Sequence, residues 1–263
     1  MKAPARYNVL LSAGLSSANK FLGAGRSPAP KNLYFCRTMS VNLSAYNKIK
    51  EQLKPYNAKL VAVSKIKPAA DIQALYNLGQ RIFGENYVQE LQEKQALLPT
   101  DIQWHFIGHL QSNKVKYIAP FVTMIHAVDS MKLLEEINKQ AVKFNRTIEC
   151  LLQVHIAEEE TKFGLSEKEL EELLEQWREQ QQDLPNIRIA GLMGMATNTD
   201  NLEQVRKEFN HLKSLQTSLK ACFFADQDTF NELSIGMSGD YTIALEEGST
   251  MVRIGSMLFG ARI

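Results

Sequence analysis

The chain has 263 residues, 44% of them hydrophobic and 8% aromatic, ordinary values for a globular protein of one large domain or two small ones. Its net charge of +1 hides an asymmetry: residues 1–39 hold six Lys/Arg and no acid, which leaves 24 basic against 29 acidic residues beyond them. That acidic remainder has no basic stripe for nucleic acid, the three scattered cysteines (Cys36, Cys150, Cys222) form no C-x-x-C pair, and no apolar run approaches membrane-span length.

Residues 1–39 are rich in Ser, Ala, Gly and basic side chains, the composition of an organellar transit peptide, yet they show no clear amphipathic helix. We expect a disordered extension, or a start placed ahead of the native one at Met39. The scattered cysteines fit a reducing compartment, so a cytoplasmic location is expected.

A leading helix follows over residues 41–56, with Leu43, Tyr46, Ile49 and Leu53 at helical spacing. Then strand-like and helix-like runs alternate. Strands are expected at 60–64, 81–84, 102–107, 122–128, 148–156, 187–195, 232–237 and 251–254, separated by helices at 69–78, 85–98, 110–119, 131–144, 166–179, 202–219 and 241–247. The fifth of these helices opens on a capping box, Ser166 to Glu169, and carries its apolar face on Leu170, Leu173, Leu174 and Trp177. Eight βα units predict an α/β fold, a single (β/α)8 TIM-type barrel over residues 40–263 with a leading N-terminal helix. An open doubly wound sheet would need fewer strands and usually a Gly-rich first turn; here that turn is Ser64-Lys65-Ile66-Lys67-Pro68.

Barrel active sites lie at the C-terminal strand ends. Lys65 stands there after the first strand, where partial burial frees a lysine amine as a nucleophile toward aldehydes; the plainer reading is a surface loop lysine. The seventh and eighth strands end in Gly236-Met237-Ser238-Gly239-Asp240 and Arg253-Ile254-Gly255-Ser256, where barrels frequently hold phosphate, although Gly and Ser also simply make turns. A lysine facing a phosphate cradle points to a phosphorylated aldehyde, either pyridoxal phosphate or an aldolase's sugar phosphate. The first-strand position favours pyridoxal phosphate.

Several long motifs stand in order along the chain: Val61-Ala62-Val63-Ser64-Lys65, Phe83-Gly84-Glu85-Asn86-Tyr87, Trp104-His105-Phe106-Ile107-Gly108-His109-Leu110-Gln111-Ser112-Asn113-Lys114, Gly191-Leu192-Met193, Leu233-Ser234-Ile235-Gly236-Met237-Ser238-Gly239-Asp240 and Gly248-Ser249-Thr250-Met251-Val252-Arg253-Ile254-Gly255. With these the sequence resembles the pyridoxal phosphate homeostasis proteins from about Met39 onward. The resemblance implies a barrel like the N-terminal domain of alanine racemase, with Lys65 as Schiff-base lysine. It implies that Ser238, Gly255 and Ser256 hold the phosphate, Arg253 faces the pyridine nitrogen and Asn86 meets the cofactor's polar edge. It also implies pyridoxal 5'-phosphate as cofactor, held for buffering or delivery rather than catalysis, with apo pyridoxal phosphate enzymes and amino acids as further partners of a monomer. Two positions depart from the family pattern: His155 stands where asparagine is expected, and Ser256 where threonine is common.

The rival function is an amino-acid racemase, and an aldolase is a third. Racemisation needs a base on each face of the substrate; the chain stops at Ile263, so no second domain is expected to supply one, and Tyr87 and Tyr241 are the tyrosines placed near the mouth. His105, His126 and His155 fall on successive strands, but without an H-x-H pair or acidic partner no metal is expected. Met193 and Met195 read as barrel packing, Glu158–Glu160 as a solvated loop, and Lys67 and Lys114 equally as steering or surface charges.

Overall fold

The computed structural model describes residues 41–159 and 163–260. The extension expected over 1–39, and Glu160, lie outside these. Within them the chain runs α1 (Leu43–Leu53), β1 (Lys59–Val63), α2 (Ala69–Asn77), β2 (Ile82–Glu85), α3 (Val88–Leu97), β3 (Gln103–Phe106), α4 (Val115–Ile118), β4 (Met124–Val128), α5 (Met131–Lys143), β5 (Ile148–Val154), α6 (Glu167–Gln180), β6 (Ile187–Gly194), α7 (Leu202–Phe223), β7 (Glu232–Ser234), α8 (Tyr241–Glu246), β8 (Met251–Ile254) and α9 (Ser256–Phe259). The eight strands are all parallel and close into a barrel in sequence order. Closure is made by β8 against β1, with Leu60 beside Val252 and Ala62 beside Ile254.

The near-continuous apolar strands follow from burial on both faces. In β1, Leu60 and Ala62 point outward into the large core shared with the helices, while Val61 points into the barrel with Met124, Leu151, Met193 and Met251. Successive strand side chains alternate between these two layers. Met193 packs as expected. Gly191, with φ at +151°, marks where β6 passes close to β7: a Cβ there would lie 1.8 Å from Glu232 O.

The helices bury most of the faces that their sequence spacing predicts; in α1 Tyr46, Ile49 and Leu53 are buried, while Leu43, in its first turn, is exposed. In α6, Leu170, Leu173, Leu174 and Trp177 are buried, and the capping box is complete: Glu169 N–H donates to Ser166 Oγ while Ser166 N–H donates to Glu169 Oε2. Burying a large apolar side chain stabilises by roughly 1.5–3 kcal/mol, and one capping interaction by about 1 kcal/mol, so packing dominates.

Most strands are shorter than the sequence patterns predict. Buried apolar residues such as Ile102, Val122 and Ile235 continue the runs past one strand end or the other, so hydrophobicity overshoots the hydrogen-bonded ladder. Glu85, expected to open α3, instead ends β2 and is fully buried. The helix at 110–119 is a 3-10 turn at Ser112–Lys114 plus one α-turn. α9 escapes a periodicity reading because it is only four residues long. Among the described residues, no helix is long and apolar enough to cross a membrane.

Candidate functional site

A pocket of about 280 Å³ opens at the C-terminal ends of the strands. Lys65, Asn86, Ser238, Arg253, Gly255 and Ser256 all line it, with Val63, Lys67, Ile107, Met195, Met237, Gly239 and Gly260. All six residues expected from the sequence are therefore brought together. Met195, read as packing, also faces this pocket.

Lys65 follows β1 by two residues, and its neighbour Ile66 has φ at +62°. A β-branched residue in the left-handed region is strained, by about 1–3 kcal/mol. The surroundings hold it there. Ile66 N–H donates to Glu90 Oε1 at 2.6 Å. Lys94, from α3, donates to Glu90, to Glu85 Oε1 and to Ser64 O, each at 2.6–2.7 Å. Ser64 Oγ donates to Glu85 Oε1 at 2.6 Å. One buried ammonium thus ties together the end of β1, the end of β2 and the turn that carries Lys65. Burial raises the Glu85 pKa above the usual carboxylate range, with Lys94 and Ser64 opposing. The next lysine, Lys67, donates to Phe259 O at 2.8 Å. Lys65 and Lys67 both line the pocket, on either side of the left-handed turn at Ile66.

Beside Lys65, just beyond β7 and β8, the latter paired with β1 in the closed barrel, the Ser238 and Ser256 hydroxyls stand 3.1 Å apart, so the lysine and the hydroxyls neighbour each other at the mouth and do not face each other across it. Gly236, with φ at +91°, allows the chain to turn there: a Cβ would lie 2.6 Å from that of Ala244. Asp240 Oδ1 accepts from Met237 N–H and tightens the same turn. At Gly255 a Cβ would lie 3.1 Å from Val63 O, so a side chain here would press on β1 beneath the pocket. Two hydroxyls and close backbone suit an anionic group with several acceptor oxygens. α8 and α9 are too short for a helix dipole to add much.

Arg253 is buried in the floor. Its Nη1 donates to Ser234 O and Oγ, and its Nη2 to Gly194 O. Burial lowers its pKa to about 10, with Asp240 opposing, so it remains a cation and a donor at neutral pH. Asn86 Oδ1 is buried without a protein hydrogen-bond partner among the described residues. An orphaned acceptor beside a lysine, an arginine and two hydroxyls fits a ligand with both phosphate and hydroxyl or aldehyde groups.

The other sequence candidates part company. Tyr241 is tied by its hydroxyl to Gln52 on α1, 2.7 Å away, and does not line the pocket. Tyr87 is 55% exposed and lines an adjoining depression with His109, Lys114 and Tyr117. His155 lies just beyond β5, and its Nε2–H donates to Glu159 O at 2.9 Å, closing its own loop. His105 and His126 face each other inside the barrel, with ring nitrogens 2.9 Å apart. Glu158 is exposed, as a solvated loop requires, with its N–H donating to Thr197 Oγ1, whereas Glu159 is half-buried and its carboxylate accepts from Asn198 N–H. The sequence reading missed Ser64, Glu85, Glu90 and Lys94, which look like ordinary helix-surface and turn residues; Glu85 carried a faint signal inside the Phe-Gly-Glu-Asn-Tyr motif.

The family described as alanine racemase, N-terminal domain, matches residues 43–263. A pyridoxal phosphate homeostasis protein of Aquifex aeolicus is 43% identical over 206 residues, covering 78% of this chain and 87% of that one. One from Escherichia coli is 39% identical over 216 residues, covering 79% and 87%. Among solved structures, PipY of Synechococcus elongatus with PLP bound is 35% identical, with a TM-score of 0.74 and coverage of 82% and 99%. An alanine racemase from Bartonella henselae, 18% identical with a TM-score of 0.61, shares the fold; this chain covers 60% of it.

Proposed function

Because the chain belongs to the pyridoxal phosphate homeostasis protein family, built on the alanine racemase N-terminal-domain barrel, we propose that it binds pyridoxal 5'-phosphate and buffers or delivers it. The observation that carries this reading is the convergence of Lys65, Asn86, Ser238, Arg253, Gly255 and Ser256 on one pocket. The cofactor supplies an aldehyde, which a lysine amine captures as a Schiff base with loss of water. Lys65 supplies that amine. Ser238 and Ser256 donate to the phosphate, beside the close backbone of Gly255. Asn86 offers its orphaned acceptor to the polar edge of the ring. Arg253 faces the ring nitrogen, where it donates and has no proton-accepting site.

That last role argues for storage over catalysis. A ring nitrogen that receives a hydrogen bond from arginine stays neutral and withdraws electrons weakly. Racemisation also needs a second base within about 2.6–3.2 Å of the proton it takes. Among the described residues, no tyrosine or histidine lines the pocket, and Lys67 donates to Phe259 O. In this reading the protein works as a cytoplasmic monomer that serves apo pyridoxal phosphate enzymes and meets free amino acids at its mouth.

The test is an absorbance spectrum of the purified protein before and after borohydride, with peptide mapping of the fixed adduct. The adduct is expected on Lys65, and Lys65→Ala abolishes the Schiff-base band. An adduct chiefly on Lys67 or Lys114 overturns the assignment. Turnover of L- or D-alanine with kcat in the usual enzyme range of roughly 1–10³ s⁻¹ overturns the carrier reading.

A further inference from the structure

The barrel floor holds a polar chain that the proposed binding does not by itself require. Arg253 Nη1 donates to Ser234 Oγ at 2.6 Å, Ser234 Oγ lies 3.0 Å from His126 Nδ1, and His126 Nε2 lies 2.9 Å from His105 Nδ1. The four residues come from β8, β7, β4 and β3, so the chain spans the barrel interior from wall to wall. All four are buried.

We propose that Ser234, His126 and His105 are positioning residues for Arg253, fixing its guanidinium so that its remaining donors serve the pocket. This rests on the reading of the pocket as a pyridoxal phosphate site. An arginine only donates, so Ser234 Oγ must accept from it, and the proposed chain has that hydroxyl donate its own proton to the histidine. Ser234 Oγ accepts from Arg253 and turns its single proton to His126 Nδ1. His126 is then the Nε2–H tautomer and donates to His105 Nδ1, which makes His105 the Nε2–H tautomer too. Burial favours neutral imidazoles at both positions and so agrees with this order.

The geometry fixes the guanidinium plane from two sides. Three of its five N–H donors are held, two by Ser234 at the end of β7 and one by Gly194 O at the end of β6. Two remain for the pocket that Arg253 lines. Without Ser234 Oγ, one Nη1–H and the His126 Nδ1 lone pair both lose their partner in a dry interior, and the fork is free to turn toward whatever acceptor it finds. The chain thereby controls whether a donor meets the ring nitrogen of a ligand.

Two measurements test this. In ligand-free protein with ¹⁵N-labelled histidine, both buried rings are expected as neutral Nε2–H tautomers; His126 found as the Nδ1–H tautomer or as imidazolium overturns the chain. For ligand binding, Ser234→Ala and His126→Leu are compared using pyridoxal phosphate and its 1-deaza analogue, whose ring carries C–H in place of nitrogen. Each variant is expected to weaken pyridoxal phosphate about tenfold or more and the analogue by no more than about twofold. His126→Gln, whose amide accepts from Ser234 and donates to His105, restores the discrimination. Equal weakening of both ligands marks a loosened barrel and overturns the inference. Wild-type protein that binds neither ligand overturns the proposed function, while the tautomer measurement still decides the chain.

Discussion

Ile66 shows how a single strained residue shapes the candidate site. Its side chain is 53% exposed, so its burial contributes little, yet its backbone sits at φ +62° between the two pocket lysines. Ile66→Gly removes the steric penalty of about 1–2 kcal/mol per left-handed residue, offset by glycine's extra freedom when unfolded. The expected outcome is unchanged or slightly raised stability in a urea titration, with retention of pyridoxal phosphate weakened several-fold because the Lys65 turn loosens. Unaltered retention assigns the strain no part in binding. The two hydroxyls just beyond β7 and β8 make a second case. Replacing both Ser238 and Ser256 by Ala removes charge-assisted bonds worth roughly 1.5–3 kcal/mol each. Pyridoxal phosphate binding is expected to fall far more than that of unphosphorylated pyridoxal; equal losses place the phosphate elsewhere.

Between elements, the join of β1, β2 and α3 depends on Lys94. Its side chain is 7% exposed, and its ammonium meets Glu85, which is fully buried, and Glu90. Such pairs add little net stability when both partners are present, but removing one leaves the other charge stranded, at about 3–5 kcal/mol. Lys94→Met is therefore expected to lower the unfolding free energy by that amount, and Lys94→Met combined with Glu85→Gln to recover most of it. A loss under about 1 kcal/mol for Lys94→Met means that Glu85 already folds protonated, an outcome its raised pKa makes specific. Denaturant midpoints of the two variants settle the matter. The capping box of α6, by contrast, is exposed and local, and its loss touches only one helix end.

Across the whole barrel, the buried histidines couple stability to pH. His105 stays neutral down to about pH 3, burial being the main cause and Lys59 adding to it; His126 is also held well below the ordinary range by burial, then by His105 and Arg253. As pH falls below about 6.5, the unfolded chain protonates both rings and the folded barrel does not. The unfolded state then binds more protons, so stability drops with falling pH, by up to about 2.7 kcal/mol per pH unit for two such groups. Glu85 acts in the opposite sense, since its raised pKa lets the folded form take a proton first. Urea midpoints between about pH 7 and pH 5 are expected to decline, and His126→Gln to lower the slope by up to about 1.4 kcal/mol per pH unit. A flat profile over that window contradicts neutral burial of the pair.

Local pattern carried much of this protein. Alternating apolar runs are enough to specify βα repeats because strands and helices must each bury a face at their own period, and the count of eight leaves a closed barrel as the economical arrangement. Ser166 with Glu169, and Leu170 with Leu174, were legible because caps and helix faces depend only on residues three or four apart. The strand-end positions of Lys65, Ser238, Arg253, Gly255 and Ser256 followed from the same alternation. The left-handed turn at Ile66, the burial of Glu85 beside Lys94, and the chain from Arg253 through Ser234 and His126 to His105 were not legible. Their partners lie up to 108 residues apart along the chain, as His126 and Ser234 do. Whether a charged or imidazole side chain ends in water or in a dry barrel depends on which strands close around it, and only the tertiary structure decides that.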